Sequence, residues 1–156
     1  MHSGPELAAA RFDEPEIQAL ASAQQEEMRG IYGGEADIGP TRDAWMFEPP
    51  DGAFVVVRVD DVAVGCGGVC RFDGSRAELK RMYVAPRARG RGLGRRLLRE
   101  LELGAAELGC RTVRLDTMAA MAEAGALYRS AGYEPIADYN GNPLAAVWME
   151  RALPGE

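Results

Sequence analysis

Arg89-Gly90-Arg91-Gly92-Leu93-Gly94 follows a strand-like run, Arg76–Val84, and opens a helix-like run that starts at Leu93. Three glycines at alternate positions let the backbone approach a bulky anion closely. A helix beginning at Leu93 aims the unpaired amide N–H groups of its first turn at the same point. The flanking arginines add fixed positive charge. The natural ligand of such a turn is a pyrophosphate, so the stretch points to a nucleotide-bearing cofactor.

The rest of the fold reads outward from this turn. Upstream, Ala53–Val59, Val62–Phe72 and Arg76–Val84 are rich in valine and are separated by the short turns Asp60-Asp61 and Asp73-Gly74, which makes them a three-strand meander. Pro86 ends the third strand. Earlier still, Leu7–Phe12 reads as a short strand. Asp13 and Pro15 open a helix that runs through Ile17, Leu20 and Met28 towards Gly33. Residues 34–51 read as loop with one helical turn. Downstream, Leu93, Leu97, Leu98, Leu101, Ala105 and Leu108 recur at helical spacing, and Gly109 is a stop. A strand over Arg111–Asp116 and a helix over Ala119–Ala131 follow. Two final strands, Tyr133–Ala137 and Leu144–Glu150, flank an Asn140-Gly141 turn. The fold class is α/β of the α+β type, with a mixed, mostly antiparallel central sheet flanked by helices.

At 156 residues the chain reads as a single domain, 1–156, with enough length for a real core. No apolar run is long enough to span a membrane, and the N-terminus lacks a secretory pattern. Three cysteines, Cys66, Cys70 and Cys110, suggest a reducing cytoplasm rather than a disulfide framework. Net charge is −6, yet residues 86–99 hold six arginines and no acid. A basic island in an acidic chain implies one anionic ligand site and argues against general nucleic-acid binding. Residues 86–99 also lack the interleaved aromatics that single strands stack on. The lone histidine, His2, leaves no metal-ligand set, so no metal is expected.

Glycine-rich turns also serve dinucleotide folds. There the motif follows the first strand of a parallel unit, with an acid about 20 residues on. Here three hairpin-linked strands come first, and Asp116 lies farther away. The P-loop is excluded because no Gly-Lys-Ser/Thr ends the motif.

The run Ala77-Glu78-Leu79-Lys80-Arg81-Met82-Tyr83-Val84-Ala85-Pro86-Arg87-Ala88-Arg89-Gly90-Arg91-Gly92-Leu93-Gly94, with the later block Ala124-Gly125-Ala126-Leu127-Tyr128-Arg129-Ser130-Ala131-Gly132-Tyr133, resembles the GNAT superfamily of acyl-CoA-dependent N-acyltransferases. The resemblance covers roughly Leu7 to Leu153. It implies acetyl-CoA as cofactor and direct transfer of its acetyl group to a primary amine of a small molecule, amino acid or peptide.

The resemblance also implies roles. Arg89, Gly90, Arg91, Gly92, Leu93, Gly94 and Arg95 would hold the pyrophosphate, by backbone N–H groups and by charge. Met82, Tyr83 and Val84 lie on the strand that lines the pantetheine arm. The Met82 N–H would polarise the thioester carbonyl and stabilise the oxyanion. A free alkylamine, with a pKa near 10.4, is protonated at neutral pH. Glu78 is the candidate general base, and Tyr128 the candidate general acid for the departing thiolate. The family's late helix often carries an amide seven residues before the tyrosine; here that position is Met121, with Met118 nearby.

Other readings stand beside these. Glu78 can pair with Lys80 or Arg81 on the strand surface, and Tyr128 can pack only its ring against the cofactor. A non-catalytic acyl-CoA-binding module of the same fold is the alternative to an enzyme, and a dinucleotide oxidoreductase is a third, disfavoured by the strand order. The resemblance implies an acceptor pocket built from the first helices and the last hairpin, segments that here hold Glu26, Glu27, Tyr32, Glu35, Asp37, Trp45, Asp138, Tyr139 and Asn140. Their acids and aromatics suit a cationic amine, or the acids simply solubilise the surface. Arg42 or Arg81 could instead hold a substrate carboxylate. Family members are often dimers, so a homodimer is possible.

Overall fold

The computed structural model describes residues 4–32, 44–118 and 122–155. One seven-stranded sheet organises them. Its strands are β1 (Glu6–Ala9), β2 (Gly52–Val59), β3 (Val62–Arg71), β4 (Arg76–Val84), β5 (Thr112–Thr117), β6 (Glu134–Ile136) and β7 (Val147–Ala152). Three helices accompany them: α1 (Pro15–Tyr32), α2 (Leu93–Glu107) and α3 (Ala122–Ser130). The spatial order is β1-β2-β3-β4-β5-β7-β6, and only β4–β5 is parallel. The expected mixed, mostly antiparallel sheet flanked by helices is the observed one.

Alternation along each strand sends side chains to two cores. On one face, Val69, Ala77, Leu79, Val113, Leu115 and Met149 pack against Leu93, Leu97, Leu98, Leu101 and Ala105 of α2, with Tyr128 of α3. These α2 residues are buried, as their spacing predicts. On the other face, Phe54, Val56, Cys66 and Tyr83 pack against Ile17 and Leu20 of α1, together with Phe12 and Phe47. The three phenylalanine rings meet one another edge-on or tilted at 5.2–5.3 Å. Such pairs add to area burial because ring edges are positive and faces negative.

Helix ends follow sequence chemistry. Pro15 starts α1, whose first bonds return to the Glu14 carbonyl. Asp13, expected as the cap, instead pairs with Arg11 at 3.1 Å. Gly109, at φ +87°, closes α2 with the Cys110 N–H reaching the Ala105 carbonyl. Gly132 does the same for α3, where the Tyr133 N–H reaches Tyr128 O at 3.0 Å.

Two local expectations differ. The first strand ends at Ala9 rather than Phe12, because Phe12 turns into the α1-side core. The last strand starts at Val147 rather than Leu144, so the connection around Asn140-Gly141 is longer than expected. A loop over 137–146 joins it to β6, and Asp138, Asn140 and Asn142 satisfy the loop's backbone N–H groups with their side chains.

Candidate active site

β4 is where the sheet opens. It pairs with β5 only over Arg76↔Thr112, Ala77↔Val113 and Glu78↔Arg114. Beyond Glu78 the two strands part. On its other edge β4 carries a bulge: Gly68 faces Lys80 and Cys66 faces Tyr83, so Arg81 and Met82 together oppose Gly67. Arg81 takes φ +59°, the left-handed conformation such an extra residue often needs. The bulge reverses the alternation. Leu79 belongs to the α2-side core, but three residues later Met82 also packs on that side, and Tyr83 turns to α1. Gly67 permits this close approach: a Cβ there would lie 2.8 Å from Leu101 Cδ1 and 3.3 Å from the Met82 Cα.

The glycine turn closes one end of this opening. A short 3-10 turn, Pro86–Ala88, precedes it, and the Arg89 N–H donates to the Pro86 carbonyl. Gly92 lies at φ +75° immediately before α2, and no side chain caps that helix. A Cβ on Gly90 or Gly92 would meet nothing, while one on Gly94 would come within 3.3 Å of Leu127. An uncapped helix start with open space over its glycines, beside Arg91, fits a diphosphate both sterically and electrically.

The arginines divide their work. The Arg89 guanidinium is held within the chain: it donates to both Glu27 carboxylate oxygens at 2.8 and 2.9 Å and to the Val84 carbonyl at 2.9 Å. The Glu27 bond, with its charge, raises the Arg89 pKa further. Glu27, expected in the acceptor pocket, therefore grips the glycine turn. One turn earlier on α1, Gln24 donates to the Met82 carbonyl at 3.2 Å. Arg95 bonds the Ser130 hydroxyl and so ties the start of α2 to the end of α3.

Glu78 lies on the α1 side of β4 and its side chain is 11% exposed. Its Oε2 accepts the Tyr139 hydroxyl at 2.7 Å and the Asn140 amide at 3.4 Å. Its Oε1 lies 3.1 Å from Lys80 Nζ, so the pairing open in the sequence is present. Tyr139 is itself fixed. The Arg114 guanidinium lies 4.3 Å from its ring centre, Phe72 meets it edge-on at 5.2 Å, and Glu150 holds Arg114 at 2.6 Å. Burial, then the Glu78 charge, pushes the Tyr139 hydroxyl pKa up, so it remains a donor.

Tyr128 lies on the opposite face, buried among the α2-side residues. Its hydroxyl donates to the Met82 thioether at 3.8 Å. Burial first, and the Asp116 carboxylate second, push its pKa up. Asp116 also acts on Tyr139 and accepts the Asn140 and Asn142 amides at 2.6 and 3.2 Å. Asp116 thus lies beside Asn140 and Asn142, with its charge reaching Tyr128, a position that sequence reasoning missed. Its signal was placement at the end of the strand that parts from β4.

The structure therefore brings Met82 and Tyr128 into contact. Glu78 sits across the sheet, at the last residue of β4 that pairs with β5. Glu35, Asp37, Arg42 and Met121 lie outside the described residues, as do the side chains of Tyr32 and Trp45. Among the described residues no group of side chains could hold a metal ion, and no helix is long and apolar enough to cross a membrane.

Comparison with known proteins agrees with this architecture. The profile of the acetyltransferase (GNAT) family matches residues 16–133. A protein of Azospirillum brasilense named IAA acetyltransferase is 39% identical over 115 residues, which is 71% of this chain and 74% of that protein. A solved structure from Klebsiella pneumoniae, described as an acyl-CoA N-acyltransferase, superposes with a TM-score of 0.76 at 29% identity, over 98% of each chain. An acetyltransferase structure from Salmonella typhimurium, described with its cofactor acetyl-CoA, has a TM-score of 0.71 at 19% identity over 99% of this chain and 96% of its own. The cofactor expected from the sequence is the one named for that structure. The chain belongs to the acetyltransferase (GNAT) family and is an acyltransferase.

Proposed function

We propose that this protein transfers the acetyl group of acetyl-CoA to a primary amine by direct attack, with Glu78 as general base and Tyr128 as general acid. The observation that carries the reading is the opening of β4 from β5 beyond Glu78, bounded by the glycine turn and bulged at Arg81-Met82. That gap exposes a strand edge to a ligand while the base and the acid flank it from opposite faces.

Gly90 to Arg95 would hold the diphosphate with backbone N–H groups and the Arg91 and Arg95 charges. Arg89, locked to Glu27, shapes the turn from behind. Met82, Tyr83 and Val84 would line the pantetheine arm along the open edge. When bound, acetyl-CoA supplies a thioester, an acyl group activated for attack by nitrogen. The Met82 N–H is a fixed donor for the thioester oxygen, and a fixed dipole costs no reorganisation during reaction.

Glu78 takes the proton of the incoming ammonium. Tyr139 and Asn140 already occupy Oε2, so the proton arrives at Oε1. This deprotonation overcomes roughly 4–5 kcal/mol at neutral pH for an ordinary alkylamine. Tyr128 stays protonated because it is buried, and its hydroxyl proton is available to a sulfur in contact with it, as the Met82 thioether now is.

The acceptor is a cationic amine in this reading, supported by the carboxylates of Glu78 and Asp116 beside the aromatic rings of Tyr139 and Trp148. Thiol release from acetyl-CoA tests it, screened over polyamines, amino acids, aminoglycosides and lysine peptides. Turnover with one class that is lost in Glu78→Gln is the expected result. Turnover unchanged in Glu78→Gln would remove Glu78 as the base.

A further inference from the structure

We propose that Lys80 is itself an acetyl acceptor of this site, so that the protein modifies its own chain. The inference goes beyond the proposed function and rests on it. Its starting point is composition. The 156 residues include seventeen arginines and a single lysine, Lys80. Guanidinium groups stay protonated and do not act as nucleophiles near neutral pH. The only side-chain alkylamine of the chain therefore lies two residues from the proposed base, on the same strand.

Geometry makes the placement chemical. Lys80 Nζ is 3.1 Å from Glu78 Oε1, the oxygen left open by Tyr139 and Asn140. Base and amine are already within proton-transfer distance. Lys80 also lies beyond the last β4–β5 pair, on the parted stretch of β4, two residues before Met82. Its side chain is 40% exposed, so it is free to move from the carboxylate into the gap. In every respect but tethering, it presents what an external alkylammonium would present.

The reaction balances as follows. The Lys80 ammonium gives one proton to Glu78 Oε1. The freed nitrogen lone pair forms the C–N bond to the acetyl carbon as the C–S bond of the thioester breaks. The electron pair of that bond leaves on sulfur, which takes the Tyr128 proton. The second nitrogen proton passes through water to restore Tyr128, and Glu78 releases its proton to solvent. One ammonium and one acetyl thioester give one acetamide, one thiol and one proton. The neutral product no longer competes with an external ammonium for Oε1.

The test is to incubate the purified chain with acetyl-CoA and no added amine, then follow intact mass and map the peptides. We expect one acetyl group per chain on Lys80, at a rate independent of protein concentration. We expect none on that position in Lys80→Arg, which keeps the charge opposite Glu78, and a rate roughly 100-fold lower in Glu78→Gln, the usual scale of general-base catalysis. Modification of Lys80 at the same rate in Glu78→Gln or in heat-unfolded protein would be uncatalysed chemistry and would overturn the proposal. So would an unmodified Lys80 in a preparation that acetylates an added amine, which leaves the proposed function standing. A calorimetric titration of the same preparation that detects no acetyl-CoA binding would overturn both.

Discussion

The Tyr139 hydroxyl donates to Glu78 Oε2 at 2.7 Å across 61 residues of chain, and the Tyr139 ring rests on the buried Arg114 guanidinium. The loop over 137–146 thus orients a carboxylate on a strand with which it shares no ladder. A hydrogen bond to a charged group is worth about 1.5–3 kcal/mol. Tyr139→Phe should therefore lower kcat roughly 10-fold or more with the acetyl-CoA KM unchanged. Initial rates with both substrates varied decide this. A higher acetyl-CoA KM at constant kcat would place Tyr139 in cofactor binding instead.

Glu27→Gln should separate two effects of the α1 contact to the glycine turn. The Glu27–Arg89 pair is part-exposed, so its loss should cost only about 0–1 kcal/mol of stability. The freed guanidinium no longer braces Val84 and the turn, so acetyl-CoA should bind several-fold more weakly. Thermal melts and calorimetry on the same variant give both numbers. Unchanged affinity would show that the turn holds its shape without α1.

Tyr128→Phe should reduce kcat and leave acetyl-CoA binding intact. The pH profile carries a further expectation, because burial raises the Tyr128 pKa above the ordinary 10. The acid form is the active one, and a raised pKa keeps it populated to higher pH. Turnover should then show no loss from tyrosine ionisation up to about pH 10. A basic limb below that, abolished in Tyr128→Phe, would show that the Tyr128 pKa is not raised, and an unchanged kcat in Tyr128→Phe would contradict the acid assignment.

Thiol chemistry gives a fourth check. Burial pushes the Cys66 thiol up to about 12 and Cys70 to about 11, and Cys110 moves in the same direction. A raised thiol pKa means less thiolate at any working pH, and the thiolate is the reactive form. All three should resist Ellman's reagent at pH 8 in the folded protein and react together on denaturation. Rapid labelling of one thiol in the native state would show local opening around it.

Local features of the fold were legible because short-range chemistry decides them. The leucine spacing of α2, the Asp73-Gly74 turn and the glycines at 90, 92 and 94 each leave a mark a few residues wide. The contacts that build the site leave none. Glu27 meets Arg89 across 62 residues, and Tyr139 meets Glu78 only because the strand order places β7 beside β5. The bulge at Arg81 is equally silent: nothing in Lys80-Arg81-Met82 marks which residue is extra. It is set by Gly67 opposite, where α2 presses close. Asn140-Gly141 marked a turn but not the length of the loop around it. Asn140 spends its side chain on Asp116, Glu78 and the Trp148 indole N–H, contacts that no local signal announces.

The most direct test of the central claim is an acetyl-CoA titration followed by backbone amide NMR. Binding in the gap between β4 and β5 predicts the largest shifts at Gly90 to Arg95 and at Met82 and Val84, with smaller changes at the β1–β2 end of the sheet. Shifts centred elsewhere, with those amides unmoved at saturation, would contradict the assignment of the glycine turn and the opened strand as the cofactor site.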